Sequence, residues 1–199
     1  MQKLFFEVGG LDRRCVERFG LSEDILMENA ASGLKRAIED RFKKGSSVLI
    51  VCGSGNNGGD GIALGRMLQS TFKVRLFLYK EPKSAVSKLQ LQRAKALNIE
   101  IVDEIKECDI VVDALFGSGF AGGLDEGVCS ILQTMNRLEG YKIACDVPSG
   151  IDKNGNTSSV VFRADLTVTM GALKEYLHTD RAKTNTVHIR DTERRKTRE

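Results

Sequence analysis

Three times in this chain a short, unbroken apolar run gives way at once to a loop rich in glycine and acid. Val48-Leu49-Ile50-Val51 leads into Gly53-Ser54-Gly55-Asn56-Asn57-Gly58-Gly59-Asp60-Gly61. Ile110-Val111-Val112 leads into the loop from Asp113 to Gly123, and Ile143-Ala144-Cys145 leads into Asp146-Val147-Pro148-Ser149-Gly150-Ile151-Asp152. An apolar run with no polar alternation marks a strand covered on both faces, which is the habit of parallel sheets with helices on either side. Helical patterns at residues 62–68, 85–97 and 128–138 fill the intervals, and further strands are expected at 74–79, 99–102 and 166–170. This alternation predicts a three-layer αβα, Rossmann-like α/β fold with a mainly parallel sheet.

Two helices open the chain and are expected to pack alongside that sheet. The first covers residues 11–19. The second begins near Ser22, a plausible N-cap, with Glu23 and Asp24 in the first turn, where the helix dipole favours acids. Its apolar residues Leu26, Ala30, Leu34, Ala37 and Ile38 recur at helical spacing. It is expected to run into Arg41, Lys43 and Lys44 and to stop at Gly45. Residues 1–183 form one domain on this reading. Residues 184–199 form a polar, basic tail with only Val187 and Ile189 apolar, expected to give one weak strand at most and then disorder.

The formal charge is +3, and the ten residues from Arg190 supply +2 of it, so the body is nearly neutral. A nucleic-acid partner would need a basic stripe on the folded part, and none is visible. No apolar run approaches the roughly 18 residues of a membrane span, so no membrane partner is expected. Cys52 and Cys145 end apolar runs and read as small buried hydrophobes. Unpaired thiols and an opening segment too short and polar for a secretory signal point to the cytoplasm. His178 and His188 are isolated and make no closed metal site.

In a parallel sheet the three loops share one edge, outside the carboxyl ends of the strands, where open α/β folds bind ligands. Glycines there let backbone N–H groups approach a phosphate. Gly53, Gly55 and Gly58 spell a G-x-G-x-x-G, and Glu81 lies where a dinucleotide-dependent dehydrogenase wants an acid. However, Gly59-Asp60-Gly61 is expected to delay the helix, and a dehydrogenase fingerprint does not account for the other two loops.

Leu26-Met27-Glu28-Asn29-Ala30, the Gly-x-Gly-Asn-Asn-Gly-Gly-Asp-Gly loop, Asp113-Ala-Leu-Phe-Gly-Ser-Gly and Asp146-Val-Pro-Ser-Gly-Ile-Asp resemble, in order, the YjeF N-terminal domain family, the NAD(P)H-hydrate epimerases. Ala164-Asp165 and Lys174 also look like that family. The resemblance implies that Asn56, Asn57, Gly58, Gly59 and Asp60 hold a hydrated dinucleotide. Gly117, Ser118, Gly119, Phe120, Ala121, Gly122 and Gly123 would line the substrate, and Asp146 would bind it and move a proton. Asn57, Asp113 and Ser149 would hold one potassium ion per subunit. Their amide, carboxylate and hydroxyl oxygens are hard ligands suited to such a cation; Asp113 as a simple loop-capping carboxylate is the plainer reading. The stretch Phe120-Ala121-Gly122-Gly123-Leu124-Asp125 lacks the proline and basic residues the family often has there. Many relatives continue into an ADP-dependent dehydratase domain that is not part of this sequence, so a functional link to an ADP- or ATP-dependent NAD(P)H-hydrate dehydratase is implied. A homodimer is compatible with the resemblance, which leaves the oligomeric state open.

The implied substrate carries a hydroxyl on the carbon beside the nicotinamide ring nitrogen. Inverting that centre needs a group that gives and takes a proton, and no redox step, so the dinucleotide is substrate rather than cofactor. A carboxylate in a partly dry pocket with a raised pKa would serve. Two other readings stand beside this one: a dinucleotide-dependent dehydrogenase, and a non-catalytic nucleotide- or RNA-binding scaffold of the same fold.

Overall fold

The computed structural model describes residues 4–5, 9–179 and 187–189. Its elements run β1 (Leu4–Phe5), α1 (Gly9–Phe19), α2 (Glu23–Glu39), β2 (Ser47–Cys52), α3 (Asn56–Leu68), β3 (Lys73–Leu78), α4 (Ala85–Ala96) and β4 (Glu100–Val102). They continue with β5 (Ile110–Ala114), α5 (Glu126–Arg137), β6 (Tyr141–Cys145), β7 (Leu166–Thr169), β8 (Leu173–Lys174), α6 (Glu175–Thr179) and β9 (Val187–Ile189).

Among the described residues seven strands form one sheet in the order β4-β3-β2-β5-β6-β7-β9, and every pairing in it is parallel. The alternation of apolar runs and helices therefore means what it predicted. β2 shows why both faces must be covered. Val48, Ile50 and Cys52 point to a core formed with α2, α3 and α4, while Leu49 and Val51 point to a second core under α5, and all five are fully buried. The chain steps from β2 outward to β3 on one side and later to β5 on the other. The crevice between the ends of β2 and β5 is thus the point where the winding reverses, and ligands of doubly wound sheets sit there.

α2 starts as expected: Ser22 is its N-cap, and its Oγ accepts from the N–H of Ile25 at 3.2 Å. It ends earlier than its basic tail suggested, at Glu39, and Gly45 (φ +88°) closes a separate turn. Arg41 still serves the helix end, donating from Nη1 to the carbonyl of Ala37 at 3.1 Å. α3 departs more. The glycines were expected to hold the helix off until about residue 62, yet it begins at Asn56. These glycines are close-packing positions rather than loop residues. A Cβ on Gly58 would lie 1.9 Å from the carbonyl oxygen of Gly53, and one on Gly61 would lie 2.6 Å from Cβ of Ala114. Their cost in helix propensity is the condition for laying α3 directly on β2 and β5.

One feature was not anticipated: β1 and β8 form a separate two-stranded parallel pair, Leu4 beside Leu173 and Phe5 beside Lys174. The short strand allowed for in the tail is β9, which joins the main sheet beside β7, Val187 opposite Thr167 and Ile189 opposite Thr169. The disorder expected for the rest of the tail, and the side chains of His178 and His188, lie outside the described residues. No helix among the described residues is long and apolar enough to cross a membrane.

Candidate active site

β5 delivers Asp113 to the carboxyl edge of the sheet, fully buried. Its Oδ1 accepts from Ser149 Oγ at 2.7 Å and from the N–H of Leu115 at 3.1 Å, and its Oδ2 accepts from the N–H of Ser149 at 2.7 Å. Ser149 Oγ in turn accepts from the N–H of Phe116 at 3.1 Å. One carboxylate thus fastens the second loop to the third. Burial pushes its pKa up to about 6, against the opposing effect of these donors.

Directly after β6 comes Asp146, a non-glycine residue held at φ +71°. That left-handed backbone costs roughly 1–2 kcal/mol, and it turns the carboxylate back over the strand ends. Oδ2 accepts from the N–H of Ser118 at 3.0 Å, and Oδ1 accepts from the N–H of Met170 at 3.0 Å and from Lys174 Nζ. Lys174 is 1% exposed and also donates to Thr169 Oγ1 at 2.8 Å and to the Met170 carbonyl at 2.9 Å. Burial alone would raise the pKa of Asp146, but the charge and hydrogen bond of Lys174, with the two N–H donors, outweigh it and hold the carboxyl below its ordinary value. The expectation of a raised pKa at Asp146 is therefore corrected. The reason is Lys174, which no spacing rule ties to residue 146.

Asp146 and Lys174 sit in the wall of a cavity of about 440 Å³. The first loop gives it Asn56, Asn57 and Asp60; the second gives it Gly117, Ser118, Gly119 and Phe120. The rings of Phe116 and Phe120 stand together in this wall, centroids 4.7 Å apart. α3 opens at the cavity without a side-chain cap on Gly55, so its first N–H groups face it. A Cβ on Gly117 would come within 3.2 Å of both Asn57 Oδ1 and Asp146 Oδ2, so glycine lets the second loop pass closely between them.

The other expected residues fall elsewhere. Gly58 and Gly59 are buried in α3 behind the wall, and Ala121, Gly122 and Gly123 are exposed outside it. Asp113 and Ser149 lie beneath the cavity, bonded to each other, while Asn57 stands in its wall with no bond to either. Asn57 Nδ2 is buried without a hydrogen-bond partner. Asp12 of α1, which sequence reasoning did not single out, reaches both this cavity and a neighbouring one of about 440 Å³ between α1 and α2. A larger groove, about 740 Å³, runs along α5 and residues 157–164 and holds no residue of the expected site.

Fold and site together define a doubly wound α/β protein with a ligand cavity at its switch point. The family described as YjeF-related protein N-terminus matches residues 23–176, and the chain belongs to that family. It is 43% identical over 190 residues to the bifunctional NAD(P)H-hydrate repair enzyme Nnr of Helicobacter pylori, covering 92% of this chain and 40% of that protein. It is 32% identical to the NAD(P)H-hydrate epimerase of Elusimicrobium minutum, covering 83% of each. The crystal structure of yeast ynu0 superposes with a TM-score of 0.82 at 22% identity, over 95% of this chain and 88% of that one. The chain spans about two fifths of the length of its bifunctional relatives.

Proposed function

We propose that this chain interconverts the R and S epimers of hydrated NADH and NADPH. The observation that carries the reading is a buried carboxylate, Asp146, kept ionised by Lys174 inside a cavity walled by two phenylalanines and faced by the uncapped start of α3. The aromatic wall suits the partly saturated nicotinamide ring. The N–H groups of α3 suit a phosphate of the dinucleotide. Two relatives matched over 83% and 85% of their own length carry the name NAD(P)H-hydrate epimerase, which supports the substrate class.

On this reading Asp146 acts as the base of the addition step. The hydroxyl leaves with the bonding electron pair and takes up a proton to become water, while the lone pair of the ring nitrogen forms a C=N⁺ bond. Water then attacks that cationic ring from the other face, and the ionised carboxylate takes the proton that this water sheds. Lys174 is a positioning residue: it fixes Oδ1 of Asp146 and keeps the carboxylate ready to accept.

The proposed potassium ion fits the donors. Asp113 is a fully buried carboxylate bonded only to uncharged donors, and burial disfavours its ionised form, so a cation there would offset an unpaired charge. Asn57, Asp113 and Ser149 would hold it, and it would supply positive charge beneath the dinucleotide. Protection of the protein against thermal unfolding by potassium, and its loss in Asp113→Ala, tests this; equal melting in sodium and potassium buffers would remove the ion from the account. We place the activity in the cytoplasm, in a repair sequence with an ADP- or ATP-dependent dehydratase, in keeping with the bifunctional relatives. The direct test is to incubate the protein with one pure epimer and watch for the other.

A further inference from the structure

Asp60 stands in the second turn of α3, half-buried, in the same cavity wall as Asp146. Unlike Asp146, its carboxyl carries no hydrogen bond or ion pair among the described residues. The charged groups that line its cavities come from four other elements: Asp12, Arg13 and Glu17 on α1, Glu23 on α2, Asp146 after β6, and Lys174 on β8, which is already committed to Asp146. Burial raises the pKa of Asp60 well above the ordinary carboxylate value, and the negative charges of Asp146 and then Asp12 raise it further. Two carboxyl groups thus reach one cavity from different elements, one bonded to a cation and one bonded to nothing. When environments divide two carboxyls in this way, one is fitted to give a proton and the other to take one.

Resting on the epimerase reading above, we propose that Asp60 is a second catalytic residue of this site and the proton donor of the pair. The C–O bond to the hydroxyl breaks, its electron pair leaves with the oxygen, and the proton of the Asp60 carboxyl goes to that oxygen to make water. The ring nitrogen supplies its lone pair to form a C=N⁺ bond. Water then adds to the opposite face of the same carbon, the π pair returns to nitrogen, and the released proton goes to the Asp146 carboxylate. A water-mediated transfer from Asp146 to Asp60 restores the starting state. No oxidant or reductant enters. In the reverse direction the two carboxyls exchange roles.

The test measures epimerisation of hydrated NADH from each pure epimer across pH, with binding followed separately by thermal-shift titration. Asp60→Asn is expected to lose at least ~10² in rate, the usual scale for a general acid, by the same factor in both directions. It should keep hydrate binding within about tenfold, since one neutral hydrogen bond replaces another. Wild type should lose rate as pH rises through the raised pKa of Asp60, and Asp60→Asn should lose that alkaline limb. A variant that turns over at the wild-type rate overturns the assignment while leaving the epimerase reading intact. A wild type that does not epimerise overturns both. If Asp60→Asn fails to fold, the wild-type profile decides alone: a rate that does not fall on the alkaline side overturns the proposal.

Discussion

Asp146 and Lys174 form the residue pair on which the site depends, and each half was legible to a different degree. Asp146 follows a buried strand and precedes Pro148, so its placement at the sheet edge could be read from the chain. Its protonation state could not, because the partner that sets it arrives from β8, 28 residues later. Asp146→Asn should still bind the hydrated dinucleotide within about tenfold while catalysed epimerisation falls by at least ~10², measured where the uncatalysed reaction is slow. An unchanged rate would make Asp146 a binding residue only. Lys174→Met should destabilise the fold by about 3–5 kcal/mol, the usual result of leaving one member of a buried pair without its partner. The sign with pH follows from the depressed pKa of Asp146. Its contribution is present above the unfolded value of 3.8 and is lost as pH falls through the lower folded value. Melting curves of wild type and Lys174→Met should therefore converge in acid and separate at neutral pH. A gap that stays constant through that window would deny the pair this role.

At the scale of elements, the glycines separate what a pattern can tell from what packing decides. Strands β2, β5 and β6 were evident as unbroken apolar runs. The start of α3 was not, because Gly58, Gly59 and Gly61 read as loop chemistry when taken locally. Only the strand beneath them shows that they are contact points. Two alanine substitutions should move stability in opposite directions for this reason. Gly33 lies inside α2 with open space where a Cβ would stand. Gly33→Ala should gain about 0.5–1 kcal/mol, a rise of roughly 1–4 °C in Tm for a chain of this size. Gly58→Ala gains the same propensity but drives a Cβ into the backbone of Gly53, and overpacking of that kind costs about 1–3 kcal/mol or more. Calorimetry on both variants checks this; a stabilised Gly58→Ala would mean that the close contact at the β2–α3 junction is not real.

For the whole molecule, the sequence announced a parallel three-layer fold but not its strand order. Order depends on which distant strands pair, and the central strands β2 and β5 are buried along both faces, so their pattern gives no preference among neighbours. The reversal between β2 and β5 gathers residues from α1, α3, β6 and β8 into one cavity, and that gathering is what single motifs could not reveal. Asp12 and Lys174 enter the site only through it, whereas Ala121, Gly122 and Gly123, contiguous in sequence with the cavity wall, fall outside. The central claim is that this cavity inverts the hydroxyl-bearing carbon of a hydrated nicotinamide dinucleotide. Separated R and S epimers of hydrated NADH, each mixed with the purified protein at neutral pH and followed by chromatography, test it most directly. The two samples should converge on one common epimer ratio far faster than the same epimers in buffer, with no reduced or oxidised dinucleotide formed. Epimers that persist as they do in buffer would contradict the account.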